Sequence, residues 1–442
     1  MRRAAAVGLG LAIALGVLVG TGATTRLWRA AYPHLPPRMQ AVPYRLRALV
    51  RSAATPVALP PPDTLGATVA PPPTPAADGR STGVPTGVPM GAPTARATVR
   101  PFATVNVSPA TAPAARSATA SNAVPTPSSM PRPLSAELGP LTHAYQTWNN
   151  CGPATISMAL SVIGLDEGQA RAAVRLKPNP DDKNVGPDEL ARYAQERGAV
   201  TALRAGGRIE VLEALVAAGV PTIVETWFEP DPGDEMGHYR LVVGYDAAAR
   251  TLRMADSYEG PNVVESYADF DRDWRAFNRT YLAILPASRA EEVALVGPGG
   301  AAMWFDAAAT AADEVERAPD AFGWFNLGSS LQATGDPAGA ADAFDRARAI
   351  GLPWRMLWYQ FGPFEAYGAA GRWSDVEALA KANLANAPDL EESVYWLGRA
   401  REAAGDIDGA RSLWRRAVEL NPLYEAPARA LRAPDAGAPP SP

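Results

Sequence analysis

Residues 145–160 read "YQTWNNCGPATISMAL" and include Cys151, the one cysteine in 442 residues. It falls where a helix is expected to begin, ahead of Gly152 and Pro153. A proline in the first helical turn costs little, because its missing N–H has no intrahelical partner there. A thiolate at that place faces unpaired backbone N–H groups and the positive end of the macrodipole, and both lower its pKa. The other reading of a lone cysteine is a small core residue that happens to be sulfur. A nucleophilic thiol needs a base, and the base needs a group to orient it. His238, the sole histidine C-terminal to Cys151, directly precedes the alternating run "YRLVVGY", a strand that would hold its ring. Asp256 closes the next strand, at "LRMADS", and in an antiparallel hairpin the start of one strand neighbours the end of the other. Gln146 can offer its amide NH₂ to a developing oxyanion beside the Cys151 N–H. Asn149 and Asn150 are expected to cap the helix or shape the loop leading into it. His143 reads as a loop histidine and Asp246 as a turn residue.

Composition narrows the alternatives. A net charge of −5 gives no reason to expect nucleic acid as a partner. One cysteine excludes an intrachain disulfide framework and a Cys-rich metal site, and with only His34, His143 and His238 a His-built metal site is not expected either. No cofactor is implied.

Elements that would position these residues are legible along the chain. "CGPATISMALSVIG" places Ile156, Ala159, Leu160 and Ile163 on one helical face, with Gly164 as a stop. Helices are predicted over 166–176, 187–197 and 209–218, the second with Pro and acidic residues in its first turn. Strands are predicted at "TIVETWF", at 239–245 and on to 255 after a turn at 246–250, and at "NVVES" and "TYLAILP". The region is thus α+β, helices first and an antiparallel sheet after.

Beyond residue 301 no strand is expected and the sequence repeats. "WFNLGSSLQATGDPAGAADAFDRARAIGLP" and "VYWLGRAREAAGDIDGARSLWRRAVELNP" share an aromatic-x-Leu-Gly opening, a Gly-Asp turn and a closing proline, with a degenerate copy between them. The turn glycines Gly335, Gly371 and Gly405 recur at the spacing of tetratricopeptide repeats, which the pattern resembles. Three repeats are expected, with "MWFDAAATAADEVERAP" as an extra helix in front. An array this short is expected to lean on the preceding domain.

At the N-terminus, Arg2 and Arg3 precede an uncharged run over 4–25, long enough to cross a bilayer as a helix. A cleaved secretory signal is the competing reading, with Thr21-Gly22-Ala23 as the cleavage site. Six arginines follow before the first acidic residue, Asp63, a flank that runs against export under the positive-inside tendency. Residues 53–133 hold 18 of the 44 prolines and two acidic residues, a composition that predicts an extended, mobile spacer.

"YQTWNNCGPAT", then "GHYRLVVGYD", then the Asp after the second strand resemble the C39-like family of papain-fold cysteine peptidases, over roughly residues 134–286. The resemblance implies an α+β papain-like domain and a thiol nucleophile, His base, Asp orienter and upstream Gln, which Cys151, His238, Asp256 and Gln146 match. It also implies hydrolysis of peptide or related amide bonds. Relatives often carry a proline after the Asp, where this chain has Ser257-Tyr258-Glu259-Gly260. The Asp-Cys-Ser/Gly-Gly-type motifs of related cell-wall amidases are absent from these 442 residues, as are a Gly-x-x-x-x-Gly-Lys-Ser/Thr loop and a polytopic segment, so a self-contained leader-processing exporter is not expected.

The expected organisation is a signal peptide or signal-anchor helix at 1–25, a basic segment and disordered linker at 26–133, and a C39-like peptidase domain at 134–290. An all-α tetratricopeptide array at 301–427 and a disordered tail at 428–442 complete it. The peptidase would take a peptide or protein substrate, and the repeats would recruit substrate or a protein partner. The N-terminal helix would tether the protein to a membrane with extracytoplasmic domains, or the protein would be secreted after signal cleavage. A catalytically silent adaptor that binds peptides or proteins at a membrane surface is the alternative.

Overall fold

The computed structural model describes residues 56–62, 132–179, 182–230 and 232–432. The apolar run 4–25, most of the Pro/Thr/Ala-rich stretch and residues 433–442 lie outside the described residues. Among the described residues no helix is long and apolar enough to cross a membrane.

The sheet domain opens with a short strand, β1 (Ser135–Glu137), followed by three helices, α1 (Cys151–Val162), α2 (Gln169–Leu176) and α3 (Pro187–Glu196). Then come β2 (Ala199–Arg204), α4 (Ile209–Ala217), β3 (Thr222–Phe228), β4 (Met236–Asp246), β5 (Thr251–Asp256), β6 (Gly260–Ser266), α5 (Tyr267–Arg275) and β7 (Tyr281–Pro286). All strand pairs are antiparallel. The order is β2-β7-β3-β4-β5-β6, and β1 takes the edge of β4 beyond the end of β3.

Both sheet faces are covered. On one, Ile156, Met158 and Leu160 of α1 pack with Leu190 and Tyr193 of α3 against Ile223, Tyr239, Leu241 and Ile284. On the other, Leu212 and Leu215 of α4 and Phe270 and Trp274 of α5 pack against Val224, Val242 and Met254. Residues Gly152 to Leu160 of α1 are all buried, so this helix is wrapped by protein rather than presenting one apolar stripe.

Sequence expectation and structure differ at four elements here. α2 begins at Gln169 rather than at Asp166, because the Asp166 carboxylate accepts from Ser157 Oγ (2.6 Å) and from the Gly168 N–H (2.6 Å) and so sits in the turn ahead of the helix. β1, β2 and α5 were not anticipated. β2 is carried by its pairing with β7, and α5 by Ser266, whose hydroxyl accepts from the Asp269 N–H to cap the helix.

The helical region begins with α6 (Ala301–Arg317) and continues as the pairs α7 (Ala321–Ala333) and α8 (Pro337–Ile350), α9 (Gly362–Ala369) and α10 (Trp373–Asn386), and α11 (Glu391–Ala403) and α12 (Ile407–Leu420). A last helix, α13 (Glu425–Arg432), corrects the expected tail, which was to start at residue 428. The Gly-Asp signature has a direct cause. Gly335 and Gly405 take left-handed φ of +88° and +82°, and the following Asp336 and Asp406 accept from the Gly339 and Gly409 N–H groups to cap α8 and α12. In the degenerate copy Arg372 replaces that Asp and instead forms ion pairs with Asp345 and Asp375, 2.7 Å each.

The helices and the sheet domain fall in one compact unit. Arg275 bridges to Glu314 (2.8 Å) and Asp320 (2.6 Å), Asn278 donates to Ser330 Oγ (3.0 Å), and Arg355 pairs with Asp234 (2.7 Å) beside the β3–β4 turn. Residues 56–62 also belong to this unit. They lie on the repeats, which corrects the expectation that 26–133 is an unattached linker throughout.

Two glycines of the repeats do different work, and their substitution separates conformation from packing. A Cβ at Gly405 would meet nothing within 4 Å, so Gly405→Ala should cost about 1–2 kcal/mol from its left-handed backbone alone. A Cβ at Gly398 would stand 2.5 Å from the Trp414 ring nitrogen, and Trp414 is buried. We expect Gly398→Ala to be the more destabilising of the two. Denaturant midpoints of the two variants check this, and the reverse order would refute it.

Candidate active site

Cys151 is the first residue of α1, and the loop before it is tied on two sides. The Gln146 N–H donates to the Ser257 carbonyl (2.8 Å) and its side-chain Oε1 accepts from Ser257 Oγ (2.8 Å). Gln169 of α2 donates to the Tyr145 carbonyl (2.5 Å) and accepts from the Thr147 N–H (3.0 Å). Asn149 takes a left-handed φ of +55° and donates to the Asp182 carbonyl, while Lys177 Nζ donates to the Asn149 carbonyl (2.6 Å). Asn149 thus shapes the loop. Asn150 stands at the N-cap position but makes no side-chain cap; its amide donates to Thr147 Oγ1 (2.9 Å).

His238 and Asp256 come from adjacent strands. Arg240 and Asp256 are direct cross-strand partners, and His238 lies two residues earlier on the same side of β4. His238 Nε2 is 3.0 Å from each Asp256 carboxylate oxygen. That leaves Nδ1 to the Cys151 side, where the ring acts to lower the thiol's pKa. Phe228 stacks on the imidazole at 4.7 Å and 28°, fixing its plane. His143, in the loop before α1, contacts the Asp256 carbonyl (3.0 Å) rather than the thiol.

Further donors converge on Asp256. Arg240 Nε stands 2.9 Å from Oδ2, and the N–H groups of Tyr258 and Glu259 donate to Oδ1 at 2.6 and 2.9 Å. The turn 257–260 therefore closes onto the carboxylate through its own backbone N–H groups. Burial alone would push this carboxyl up. The His238 charge and hydrogen bond, then Arg240, outweigh it and hold Asp256 well below the usual carboxylate range. His238 is opposed by burial but raised by Asp256, and then by Cys151, to about 9. Burial likewise opposes ionisation of Cys151, yet the His238 hydrogen bond and charge, the Tyr239 N–H and Lys177 lower its pKa below the ordinary thiol value. The two shifts run in the direction that favours the thiolate–imidazolium pair over the neutral pair.

Sequence reading missed Arg240, Lys177 and Glu225. Arg240 was signalled by its place two residues from His238 in an alternating strand. Glu225 is paired with Tyr239 across β3–β4 and is buried. Its carboxyl is raised well above the normal range by burial and then by the charge of Cys151. Tyr359, between the first two repeat pairs, is close enough for the Cys151 and Glu225 charges to raise its phenol further after burial has done so.

Residues 140–282 match the model of the Peptidase_C39 like family, and residues 392–423 match a tetratricopeptide repeat model. The chain thus carries a C39-like domain followed by tetratricopeptide repeats. Among solved structures, it is similar to a double-glycine motif protease from an AMS/PCAT transporter in complex with its leader peptide, at 17% identity over 34% of this chain and 94% of that one, TM-score 0.27. The peptidase domain of Streptococcus ComA, a bifunctional ABC transporter of a quorum-sensing pathway, is similar at 17% identity over 32% and 96%, TM-score 0.27. No curated protein matches.

If Asp256 sustains the imidazolium, removing its charge must raise the pH at which the thiol becomes nucleophilic. Alkylation of Cys151 by iodoacetamide should begin well below pH ~8.5 in the native chain. In Asp256→Asn the onset should move up towards that ordinary value, with the rate followed by mass spectrometry across pH. Coincident profiles would refute the assignment.

Proposed function

We propose that the C39-like domain is a cysteine peptidase that hydrolyses peptide or related amide bonds through Cys151, His238 and Asp256. The observation that carries this reading is the Asp256 carboxylate bonded to the His238 ring, which in turn lowers the Cys151 thiol, helped by the Tyr239 N–H and Lys177.

The Cys151 thiolate attacks the carbonyl carbon and a C–S bond forms. Charge moves to the carbonyl oxygen, which accepts from the Cys151 N–H and from the Gln146 NH₂, whose Oε1 is already engaged by Ser257. The His238 imidazolium gives its proton to the leaving amine as the C–N bond breaks, and a thioester remains. Neutral His238 then takes a proton from water, the resulting hydroxide attacks the thioester, and the C–S bond breaks to release the acid and restore the thiolate. Asp256 stays ionised throughout, holding the ring and stabilising its charge.

The repeats recruit a protein substrate or partner, and Tyr359 brings the array up to Gly237, the residue before His238. The apolar run 4–25 holds the protein at a membrane with the folded unit outside the cytoplasm, or directs its secretion and is removed; the Pro/Thr-rich stretch after it supports this placement.

A proteome-derived peptide library incubated with the full chain, read for new N-termini by mass spectrometry, tests the activity. Cleavage should fall at least about 10³-fold in Cys151→Ala and in His238→Ala. Gln146→Ala should lower kcat about 10²–10³-fold. The turnover rate should decline as pH rises through about 9, where His238 loses the proton it must donate. No new termini from a chain whose Cys151 alkylates at low pH would overturn the peptidase reading in favour of an adaptor.

A further inference from the structure

Residues 56–62, Pro-Val-Ala-Leu-Pro-Pro-Pro, fall in a stretch whose composition predicts a mobile spacer, yet they are held on the second helices of two repeat pairs. One side chain of α10 engages both polar groups of Val57: its N–H donates to Asn386 Oδ1 (2.9 Å), and its carbonyl accepts from Asn386 Nδ2 (2.8 Å). Arg348 of α8 engages the prolines. Its Nε donates to the Pro60 carbonyl (3.0 Å), and its Nη2 donates to the carbonyls of Pro60 (2.9 Å) and Pro61 (3.0 Å). Leu59 packs against the apolar cluster of Phe325, Phe344 and Phe364, and Pro62 is buried.

The chemistry of the site fits this ligand residue by residue. The Arg348 side chain is 1% exposed, and its Nη1 donates to Asp375 (2.7 Å). Among the described residues, the hydrogen bonds of its Nε and Nη2 go to Pro60 and Pro61. Residues 56–62 are part of what covers these donors, so an emptied site would be hydrated and an incoming peptide must replace that water bond for bond. A proline-rich chain makes no internal hydrogen bonds, so its carbonyls face outward, and it loses little entropy on binding because it is already extended. Prolines offer no N–H, and Arg348 asks for none. Val57 does carry an N–H, and there the site supplies an amide oxygen.

We propose that the edge formed by Arg348 and Asn386 is a binding site for extended peptides of the pattern Val-x-Leu-Pro-Pro, and that the chain's own residues 56–62 occupy it in cis. An external ligand of the same chemistry has to displace the resident segment, so the site is gated by competition. The site works whether or not Cys151 turns over substrate.

The test compares the full chain with one in which residues 56–62 are replaced by a Gly/Ser segment of equal length. The probe is a fluorescein-labelled TPVALPPPD peptide, residues 55–63, titrated to about 1 mM, the scale of effective concentration a short tether provides. The replaced chain should bind the peptide, and the native chain at least about tenfold more weakly. A peptide with Leu59→Asp should not bind, and Asn386→Ala in the replaced chain should weaken binding. In the native chain the Val57 amide should be protected from hydrogen exchange, and Asn386→Ala should remove that protection while leaving the sheet-domain amides unchanged. An unprotected Val57 amide in the native chain would overturn the proposal. So would a replaced chain whose unfolding midpoint equals that of the native chain and that binds no peptide; if that chain fails to fold, the Val57 exchange decides.

Discussion

A carboxylate at the end of β5 organises the candidate active site. Asp256 is fully buried and faces the ring of His238, the guanidinium of Arg240 and two backbone N–H groups of the turn that follows. Such a charge is tolerable only because donors surround it. The rest of the arrangement is subordinate to this. The β4–β5 register puts Arg240 opposite Asp256, the turn at 257–260 closes onto it, and Ser257, the next residue, fixes Gln146. His143 holds the carbonyl of the same residue. A single acidic side chain thereby locates the base, the loop carrying the amide donor and, through the ring, the thiol.

Buried carboxyls elsewhere in the same unit show what happens when donors are missing. Asp182, between α2 and α3, lies near Glu391 and Glu392 at the start of α11, and Oδ2 or Oε2 of each lacks a hydrogen-bond partner among the described residues. Burial first, and then their mutual repulsion, push Asp182 and Glu392 well above the carboxylate range. Asp182 matches Asp256 in type and burial and accepts from the Asn184 N–H, but burial and the nearby Glu391 outweigh that donor and Lys177, so its shift runs the other way. Where the sheet domain meets the repeats the carboxyls are thus raised, while the active-site carboxyl is lowered.

Much of this was legible in the sequence, for identifiable reasons. Thr222–Phe228 reads as a strand end to end because β-branched and aromatic residues fill it, and the repeat helices announce themselves through Gly-Asp turns whose glycine and cap have separate physical duties. Cys151, His238 and Asp256 could be singled out because each sits at or near the end of a regular element, His238 two residues inside β4. β2 was invisible because "AVTALR" gains its strand character from β7, more than 70 residues away. Asn150 illustrates a different failure. Its type suits a cap, but Thr147 competes for its side chain, and local preference cannot show which partner wins. Glu225 and Lys177 were missed because nothing in their own segments distinguishes a residue beside the thiol from one on the surface.

Composition misled in one place, and the reason bears on how the array works. A Pro-rich stretch cannot build a core of its own, which is why 53–133 reads as a spacer. It can still be held if another surface supplies the donors its carbonyls need, and Arg348 does this for Pro60 and Pro61. The same arginine also pairs with Asp375, which in turn pairs with Arg372, the residue standing where the other repeats place a capping Asp. The departure of the middle repeat from the pattern is thus part of the network that orients Arg348. Arg372 leaves α10 without a side-chain cap and instead holds the Asp375 carboxylate with which Arg348 pairs.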